Sequence, residues 1–298
     1  MSVSILPDAG DCSATVAFAM SNEEFQLFRE LVRQQTGIAL SDAKKLMLAS
    51  RLAPRLRAHS LSSYRTYYRL VREHDPGGEE LRELINCVTT NKTSFFREPA
   101  HFDFLRDTIL PGIRDRARHG ESSVRIWSAP CSTGEEAYSI AITVCEVLKP
   151  LVGWDVRILA SDLDTNVLAR ASRGIYDKES IAHLPLETTR NYFLRGKGAA
   201  SATVKVKPQV RALIDFRRIN LIEPHWPVDD LFDVIFCRNL LIYFERATQD
   251  ELVRRLVKQL KPSGYLIVGQ SEYLHWMRDF LEPVHGTIYR TRRMPKGQ

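Results

Sequence analysis

The sequence has 298 residues, 44% of them hydrophobic and 26% charged, which is ordinary for a soluble globular protein of one or two domains. The net charge of +6 is modest, and no apolar run approaches the roughly 20 residues of a membrane-spanning helix. The five cysteines include no C-x-x-C pair. We therefore expect a cytoplasmic protein that has no metal site and does not insert into a membrane.

The first third of the chain contains helical patterns only. Residues 1–20 include no basic residue and only short apolar runs, so we expect a mobile tail there rather than a signal peptide. Over residues 21–90, Ser21 is a predicted N-cap, Thr36-Gly37 ends the first helix, and Pro54 is expected to kink or split the second. The pattern predicts a small N-terminal helical domain.

One segment of this domain, residues 44–57, contains basic residues and no acid. Its basic residues are Lys44, Lys45, Arg51, Arg55 and Arg57. A solvated helix face is one interpretation of the segment. The other is a docking face for an acidic partner, either nucleic acid or an acidic protein surface.

A polar segment, residues 88–98, connects the helices to the rest of the chain. It is dense in Thr, Asn and Ser beside Phe95-Phe96. One interpretation is a lid whose polar side chains cover a sheet edge, with Arg97 directed at an anion. A plain connection with helix caps is equally consistent with the sequence.

From about residue 120, strand and helix patterns alternate, which predicts an α/β fold with a mostly parallel sheet and helices on both faces. The predicted strands are 124–130, 156–162, 232–238 and 264–269, and the predicted helices are 135–148, 165–173 and 247–260. Between them, period-two alternation at 203–207 and the strand-like run after Pro208 predict a small antiparallel excursion at about 193–214.

The joint after the first strand favours a particular kind of ligand. Only Gly134 is a glycine, and Glu135 and Glu136 follow at once. A phosphate would favour a glycine-rich loop, so the joint suits a cationic or polyhydroxyl ligand better. The alternative is a capping box, in which Ser132 or Thr133 caps the helix with one of the glutamates.

Two further polar clusters follow predicted strands. Asp162 ends the second strand, where an acid binds ribose hydroxyls in nucleotide-binding sheets, whereas Asp164 suits a helix cap. Arg238-Asn239 ends a continuous apolar strand, with Tyr243 four residues later. Ligands gather at such strand ends, although a surface ion pair for Arg238 and a core position for Tyr243 are the alternatives.

Taken together, several motifs in order resemble the CheR-type chemotaxis receptor methyltransferases, which use S-adenosylmethionine to esterify glutamates. The resemblance runs from about residue 22 to the C-terminus. The motifs are Thr36-Gly-Ile, the segment 89–97, Trp127-Ser-Ala-Pro-Cys-Ser-Thr-Gly-Glu-Glu136, Ala160-Ser-Asp-Leu-Asp164, Phe236-Cys-Arg-Asn239 with Tyr243, and Leu260-Lys-Pro-Ser-Gly264.

The resemblance implies a Rossmann-like class I methyltransferase sheet. It implies a helical receptor-docking domain at 21–90, an S-adenosylmethionine-dependent domain at 91–298, and a β-subdomain insertion at about 193–214. Ala202 stands where family members that bind a receptor's C-terminal peptide have glycine, so peptide tethering is not implied.

The resemblance also implies which residues contact the cofactor, and the chemistry of these side chains suits the groups of S-adenosylmethionine. These are Asn91, Thr93, Arg97, Glu136, Asp162, Asn220, Leu221, Arg238 and Asn239. Glu136 suits the positive end of S-adenosylmethionine and Asp162 its ribose diol. Arg97 suits a carboxylate, of either cofactor or substrate.

The implied reaction is in-line methyl transfer to a receptor glutamate. A glutamate with a pKa of about 4.3 is already ionised at neutral pH, so no general base is needed. We expect Arg97 and Tyr243 to orient the acceptor carboxylate and the basic residues of 44–57 to bind the receptor's cytoplasmic domain, with no nucleic acid involved. The alternatives are an RNA or small-molecule methyltransferase and a non-catalytic S-adenosylmethionine-sensing adaptor.

Overall fold

The computed structural model describes residues 19–292. The tail predicted at residues 1–20 therefore lies outside the described residues, apart from its last two positions. The helices are α1 (Asn22–Thr36), α2 (Lys45–Ala58), α3 (Tyr64–Glu73), α4 (Glu79–Val88), α5 (Ala100–Phe104), α6 (Leu110–Ala117), α7 (Glu135–Val147), α8 (Thr165–Arg173), α9 (Leu186–Tyr192), α10 (Pro208–Arg211) and α11 (Arg246–Lys258). The strands are β1 (Ser123–Ser128), β2 (Asp155–Asp162), β3 (Ile175–Asp177), β4 (Phe193–Arg195), β5 (Thr203–Val206), β6 (Ile214–Arg218), β7 (Phe232–Cys237), β8 (Leu260–Val268), β9 (Leu281–His285) and β10 (Ile288–Thr291).

Helices α1 to α4 pack around a core of their own. Ser21 begins α1 with a capping box, since its hydroxyl accepts from Glu24 N at 3.1 Å while Glu24 Oε2 accepts from Ser21 N at 2.8 Å. Phe28 is fully buried in this core. Of the two outcomes expected at Pro54, a kink or a split, the split does not occur, because α2 continues through Pro54 to Ala58.

Seven strands form the main sheet in the order β6-β2-β1-β7-β8-β10-β9. Strands β6, β2, β1, β7 and β8 pair in parallel, and β10 is antiparallel to both of its neighbours. The mostly parallel α/β sheet predicted from the sequence is confirmed. Because β1 lies between β2 and β7, the carboxyl ends of these three strands meet at one edge, where open α/β sheets bind ligands.

Both faces of the sheet are covered. Along β1, Ile126 belongs to one hydrophobic cluster and Trp127 to another, because successive side chains point to opposite faces. The first cluster includes Ile140 of α7, and the second includes Leu252 of α11.

The small antiparallel sheet is present, but its boundaries differ from the predicted 193–214. Its strand order is β3-β5-β4, so it begins at Ile175 and ends at Val206. The strand-like run after Pro208 divides into α10 and β6, and β6 pairs in parallel with β2 at the edge of the main sheet. Apolar alternation alone did not distinguish an edge strand of the main sheet from a strand of the insertion.

Residues 19–292 contain no helix that is both long and apolar enough to cross a membrane. The same residues contain no group of three or more His, Cys, Asp and Glu arranged to hold a metal ion.

Candidate cofactor site at the strand ends

A cavity of about 420 Å³ lies at the carboxyl ends of the parallel strands. This volume is within the usual range for small-molecule sites. Its walls come from three parts of the chain: the α1–α2 region, the segment before the sheet, and the strand ends. Six of the residues predicted to bind the cofactor or orient the acceptor line it: Asn91, Asp162, Asn220, Leu221, Asn239 and Tyr243.

Asp162 provides a buried carboxylate in the cavity wall. Its Oδ2 accepts from Ser132 N at 2.8 Å, and its Oδ1 accepts from Asp164 N at 3.0 Å. Burial raises its pKa to about 6, although these backbone N–H groups oppose the shift. Each oxygen retains a lone pair for a further donor, so Asp162 fits the diol of a ribose.

The joint between β1 and α7 has a different cap from the predicted one. Gly134 is the N-cap, with φ +96°, and no side chain caps the helix. A Cβ at Gly134 would lie 2.8 Å from Ala171 Cβ, so glycine is required by close packing as well as by conformation. The capping box predicted for Ser132 or Thr133 is therefore wrong. Glu135 instead accepts from the Thr133 hydroxyl at 2.6 Å.

Glu136 and Arg238 form a buried ion pair behind the cavity wall. Arg238 Nη1 lies 2.9 Å from Glu136 Oε2, and the Ser128 hydroxyl donates to Glu136 Oε1 at 2.7 Å. Arg238 Nη2 also lies 3.0 Å from Glu98 Oε2. Burial raises the pKa of Glu136 despite Arg238. The pKa of Glu98, in contrast, is lowered. Burial acts to raise it, but the charge and hydrogen bonding of Arg238 outweigh burial.

The turn after β7 is held by buried carboxylates. Glu272 Oε2 accepts from Asn239 N and Gly269 N, each at 2.7 Å, and its Oε1 accepts from Ile242 N at 3.3 Å. Asn239 has φ +58°, and its amide donates to Glu98 Oε1 at 3.4 Å. Glu98 and Glu272 were missed from the sequence. Glu98 adjoins the quoted Arg97 motif, whereas no pattern marks Glu272.

The segment before the sheet lines the cavity through residues 88–91. Asn91 lines the cavity, but its amide donates to Asp164 Oδ2 at 2.7 Å. Thr93 and Arg97 do not line it, and Arg97 Nη1 donates to Lys92 O at 2.8 Å. Asp164 also caps α8, as the sequence predicts, accepting from Asn166 N at 2.8 Å.

Asn220 and Leu221 follow β6 and are both buried in the cavity wall. Asn220 Nδ2 donates to Gln35 O at 2.8 Å, which links this strand end to α1. Of the nine predicted cofactor contacts, Thr93, Arg97, Glu136 and Arg238 lie outside the cavity lining.

The basic residues of 44–57 divide into two groups. Arg51 donates to Val88 O and Thr89 O at the end of α4, and Arg55 pairs with the buried Glu80. These two therefore have intramolecular partners. Lys45 donates to Asn22 Oδ1 at 2.7 Å. Lys44 and Arg57 are exposed, and Lys44 lines the cavity.

Comparison with known proteins accounts for both halves of the chain. The family described as "CheR methyltransferase, all-alpha domain" matches residues 23–89, and "CheR methyltransferase, SAM binding domain" matches residues 91–290. Chemotaxis protein methyltransferase 2 of Pseudomonas aeruginosa is 40% identical over 272 residues, which cover 91% of this chain and 94% of the relative. The chemotaxis protein methyltransferase of Escherichia coli is 40% identical over 268 residues, covering 89% and 90%.

A cavity that presents a buried carboxylate, amides and apolar side chains fits S-adenosylmethionine, which has a diol, polar groups and an adenine ring. The family matches run in the same order as the helical and α/β parts of the fold. The chain therefore belongs to the CheR methyltransferase family and is an S-adenosylmethionine-dependent methyltransferase.

Proposed function

We propose that this enzyme methylates glutamate side chains in the cytoplasmic domain of methyl-accepting chemotaxis receptors, giving glutamyl methyl esters for sensory adaptation in the cytoplasm. The observation that carries the proposal is the position of Lys44, an exposed cation in the wall of the cofactor cavity. A cation there favours approach of an anionic acceptor. The names of the relatives support chemotaxis as the setting.

When bound, S-adenosylmethionine supplies an electrophilic methyl group on a sulfonium sulfur. The acceptor glutamate is ionised at neutral pH, so the protein has to position its carboxylate and exclude water rather than remove a proton. We assign cofactor binding to Asp162, Asn220, Leu221 and Asn239.

We assign orientation of the acceptor carboxylate to Tyr243 first, because Tyr243 lines the cavity and Arg97 does not. Arg97 Nη1 donates to Lys92 O, so the remaining N–H groups of Arg97 are the ones that could bind an acceptor. Asn91, Glu136 and Arg238 then support the site by holding its walls in place.

We assign receptor docking to residues 21–90 and methyl transfer to residues 91–298. Within residues 44–57 of this domain, Lys44 and Arg57 are the basic residues classed as exposed. Reversal of Arg51 and Arg55 is a poor test of docking, because it would also break contacts inside the helical domain.

The proposal is tested by incubating the enzyme with methyl-labelled cofactor and a receptor cytoplasmic fragment. We expect the fragment to acquire label that base releases as methanol, and the same fragment with its surface glutamates changed to glutamine to acquire none. Label in RNA would contradict the proposal, as would cofactor binding without transfer to any acceptor.

Two variants test the assignment of orienting residues. Loss of a hydrogen bond to a charged group costs about 1.5–3 kcal/mol, so Tyr243→Phe should lower kcat at least about tenfold. Its dissociation constant for S-adenosylhomocysteine should stay within about twofold, within the usual spread of a neutral substitution. Arg97→Lys should have the smaller effect on kcat. Equal losses of kcat and of cofactor affinity would count against the assignment.

A further inference from the structure

The chain at the end of α1 contacts two strand ends of the catalytic sheet. Ala39 N donates to Tyr243 O at 2.9 Å, and Ile38 forms an antiparallel bridge with Phe244. Asn220 Nδ2 donates to Gln35 O at 2.8 Å. We call residues 35–39 the interdomain clasp, because they join the helical domain to the chain after β6 and to the chain after β7.

The clasp has a fixed internal geometry. The Thr36 hydroxyl donates to Val32 O at 2.7 Å and accepts from Ile38 N at 3.1 Å, and Gly37 N donates to Arg33 O at 2.8 Å. Gly37 has φ +75°, in the left-handed region that other residues seldom occupy. These contacts therefore fix the direction in which the chain leaves α1.

Gly37 also lies directly against the catalytic domain. A Cβ at this position would be 2.7 Å from Ile222 Cγ2 and 3.2 Å from Phe244 Cε1. Ile222 follows the cavity residues Asn220 and Leu221, and Phe244 follows Tyr243. Any side chain at Gly37 must therefore displace the Ile222 side chain and press on the Phe244 ring, and both residues adjoin the cavity wall.

The clasp is itself part of that wall. Thr36, Ile38 and Ala39 line the cavity together with Asn220 and Tyr243. The helical domain thus contributes part of the cavity wall, in addition to presenting Lys44 and Arg57 to solvent.

We propose that the interdomain clasp is a positioning element for methyl transfer, with Gly37 as its central positioning residue. It sets the distance between the wall at Asn220–Leu221 and the turn at Tyr243, so the helical domain completes the cofactor site. The inference about Tyr243 rests on the proposed function, whereas the inference about cofactor binding does not.

Gly37→Ala is the direct test. A misplacement of about 1 Å can lower a rate by about 100-fold, so we expect kcat to fall about ten- to hundredfold. We expect the dissociation constant for S-adenosylhomocysteine, measured by calorimetry below the melting transition, to rise about tenfold because displaced wall residues lose their contacts.

Gly78→Ala is the matched control. Gly78 lies in the same helical domain with φ +64°, and a Cβ there would have no heavy atom within 4 Å. It introduces a similar backbone strain without contact with the catalytic domain. We expect its kcat and dissociation constant to stay within about twofold of the parent, the size of effect usual for a site away from the chemistry. Equal losses in the two variants would overturn the proposal, as would parent-like values for Gly37→Ala.

Ile222→Ala supplies a rescue, since it removes the Cγ2 atom that the new Cβ would meet. We expect the double variant Gly37→Ala/Ile222→Ala to recover part of the lost affinity and kcat. If Gly37→Ala does not fold, the double variant is compared with Ile222→Ala alone. A lower kcat in the double variant supports the clasp, and equal values overturn it.

The outcome is separable from that of the proposed function. Absence of receptor methylation by the parent enzyme would contradict the proposed function alone. Calorimetry with S-adenosylhomocysteine needs no acceptor, so the effect of Gly37→Ala on cofactor affinity still decides whether the clasp is a positioning element.

Discussion

Arg238 at the strand ends and the two exposed cations of residues 44–57, Lys44 and Arg57, have opposite surroundings. Arg238 is 4% exposed and contacts two carboxylates, whereas Lys44 and Arg57 extend into solvent. A buried charge without its partner retains a large desolvation penalty, while an exposed charge is screened by water and salt. The first region should therefore control folding and site geometry, and the second should control how fast and how selectively an acidic partner binds.

The largest effect is expected from Arg238→Met. The substitution leaves the buried Glu136 and the part-buried Glu98 without their cation, and breaking a buried pair costs about 3–5 kcal/mol of the free energy of unfolding. Urea denaturation measures the loss. Arg157→Met is the matched control, because Arg157 is 67% exposed and its partner Asp155 51%, so a change below about 1 kcal/mol is expected. Similar losses in the two variants would show that burial does not separate these pairs.

Asp162→Asn tests the carboxylate that faces the cavity. A hydrogen bond to a charged group contributes about 1.5–3 kcal/mol, so the dissociation constant for S-adenosylhomocysteine should rise about ten- to hundredfold. Calorimetry measures the change. Asp155→Asn, at the far end of the same strand, should leave the dissociation constant unchanged. An unchanged dissociation constant in Asp162→Asn would show that this carboxylate does not bind the cofactor.

The pH dependence of binding follows from the same residue. Burial raises the pKa of Asp162 to about 6, and its ionised form is the better acceptor for a diol. Cofactor affinity should therefore rise about tenfold between pH 5 and pH 7, the change in the ionised fraction of such a group. Calorimetry across this range should show the rise in the parent enzyme and a flatter profile in Asp162→Asn.

The contribution of Asp162 to the free energy of unfolding of the cofactor-free protein should fall as pH rises, opposite to the trend in cofactor affinity. A raised carboxyl pKa means that the folded state binds the proton more tightly than the unfolded state does. The contribution of Asp162 to stability is thus fully present below its ordinary pKa of 3.8 and is lost as pH rises through about 6. The difference between parent and Asp162→Asn in urea midpoints, measured from pH 4 to pH 7, isolates it.

The smallest effect is expected from Arg57→Glu. An exposed charge contributes about 0.2–1 kcal/mol, so the receptor KM should rise by about two- to fivefold, more at low salt than at high salt. Steady-state kinetics at two ionic strengths measure this, with cofactor affinity unchanged. Lys258→Glu, an exposed reversal at the end of α11, should leave KM unchanged. A salt-independent rise would indicate a structural cause.

The parallel strands were predictable because long apolar runs ended in polar residues, and Asp162 was predictable because it ends the second of them. The partners of the buried charges could not be predicted from the sequence. Arg238 contacts Glu98 and Glu136, which are 140 and 102 residues away in sequence, and single-sequence periodicity contains no information on such distant pairs. The sequence therefore suggested Glu136 as a contact to the positive end of the cofactor, but gave no sign of its ion pair with Arg238.

Local sequence patterns were also insufficient in two places. The run after Pro208 alternates like an insertion strand, but pairing with β2 decides its place in the main sheet. Likewise, the basic residues of 44–57 form one group by composition, yet Arg55 turns toward Glu80 and Arg57 toward solvent. Which face of a helix is buried depends on the neighbouring helices, and the sequence of one segment does not determine their arrangement.

The cavity walls run from Thr36 to Phe244, which bears on when a newly made chain can first bind its cofactor. The helical domain leaves the ribosome early, but its part of the wall faces segments made much later. At ~5–20 residues per second, the interval between these two positions is on the order of 10 to 40 s. During that time the nascent chain has no complete pocket, so S-adenosylmethionine can stabilise only a chain that has been made beyond Phe244 and cannot assist earlier folding of the helical domain.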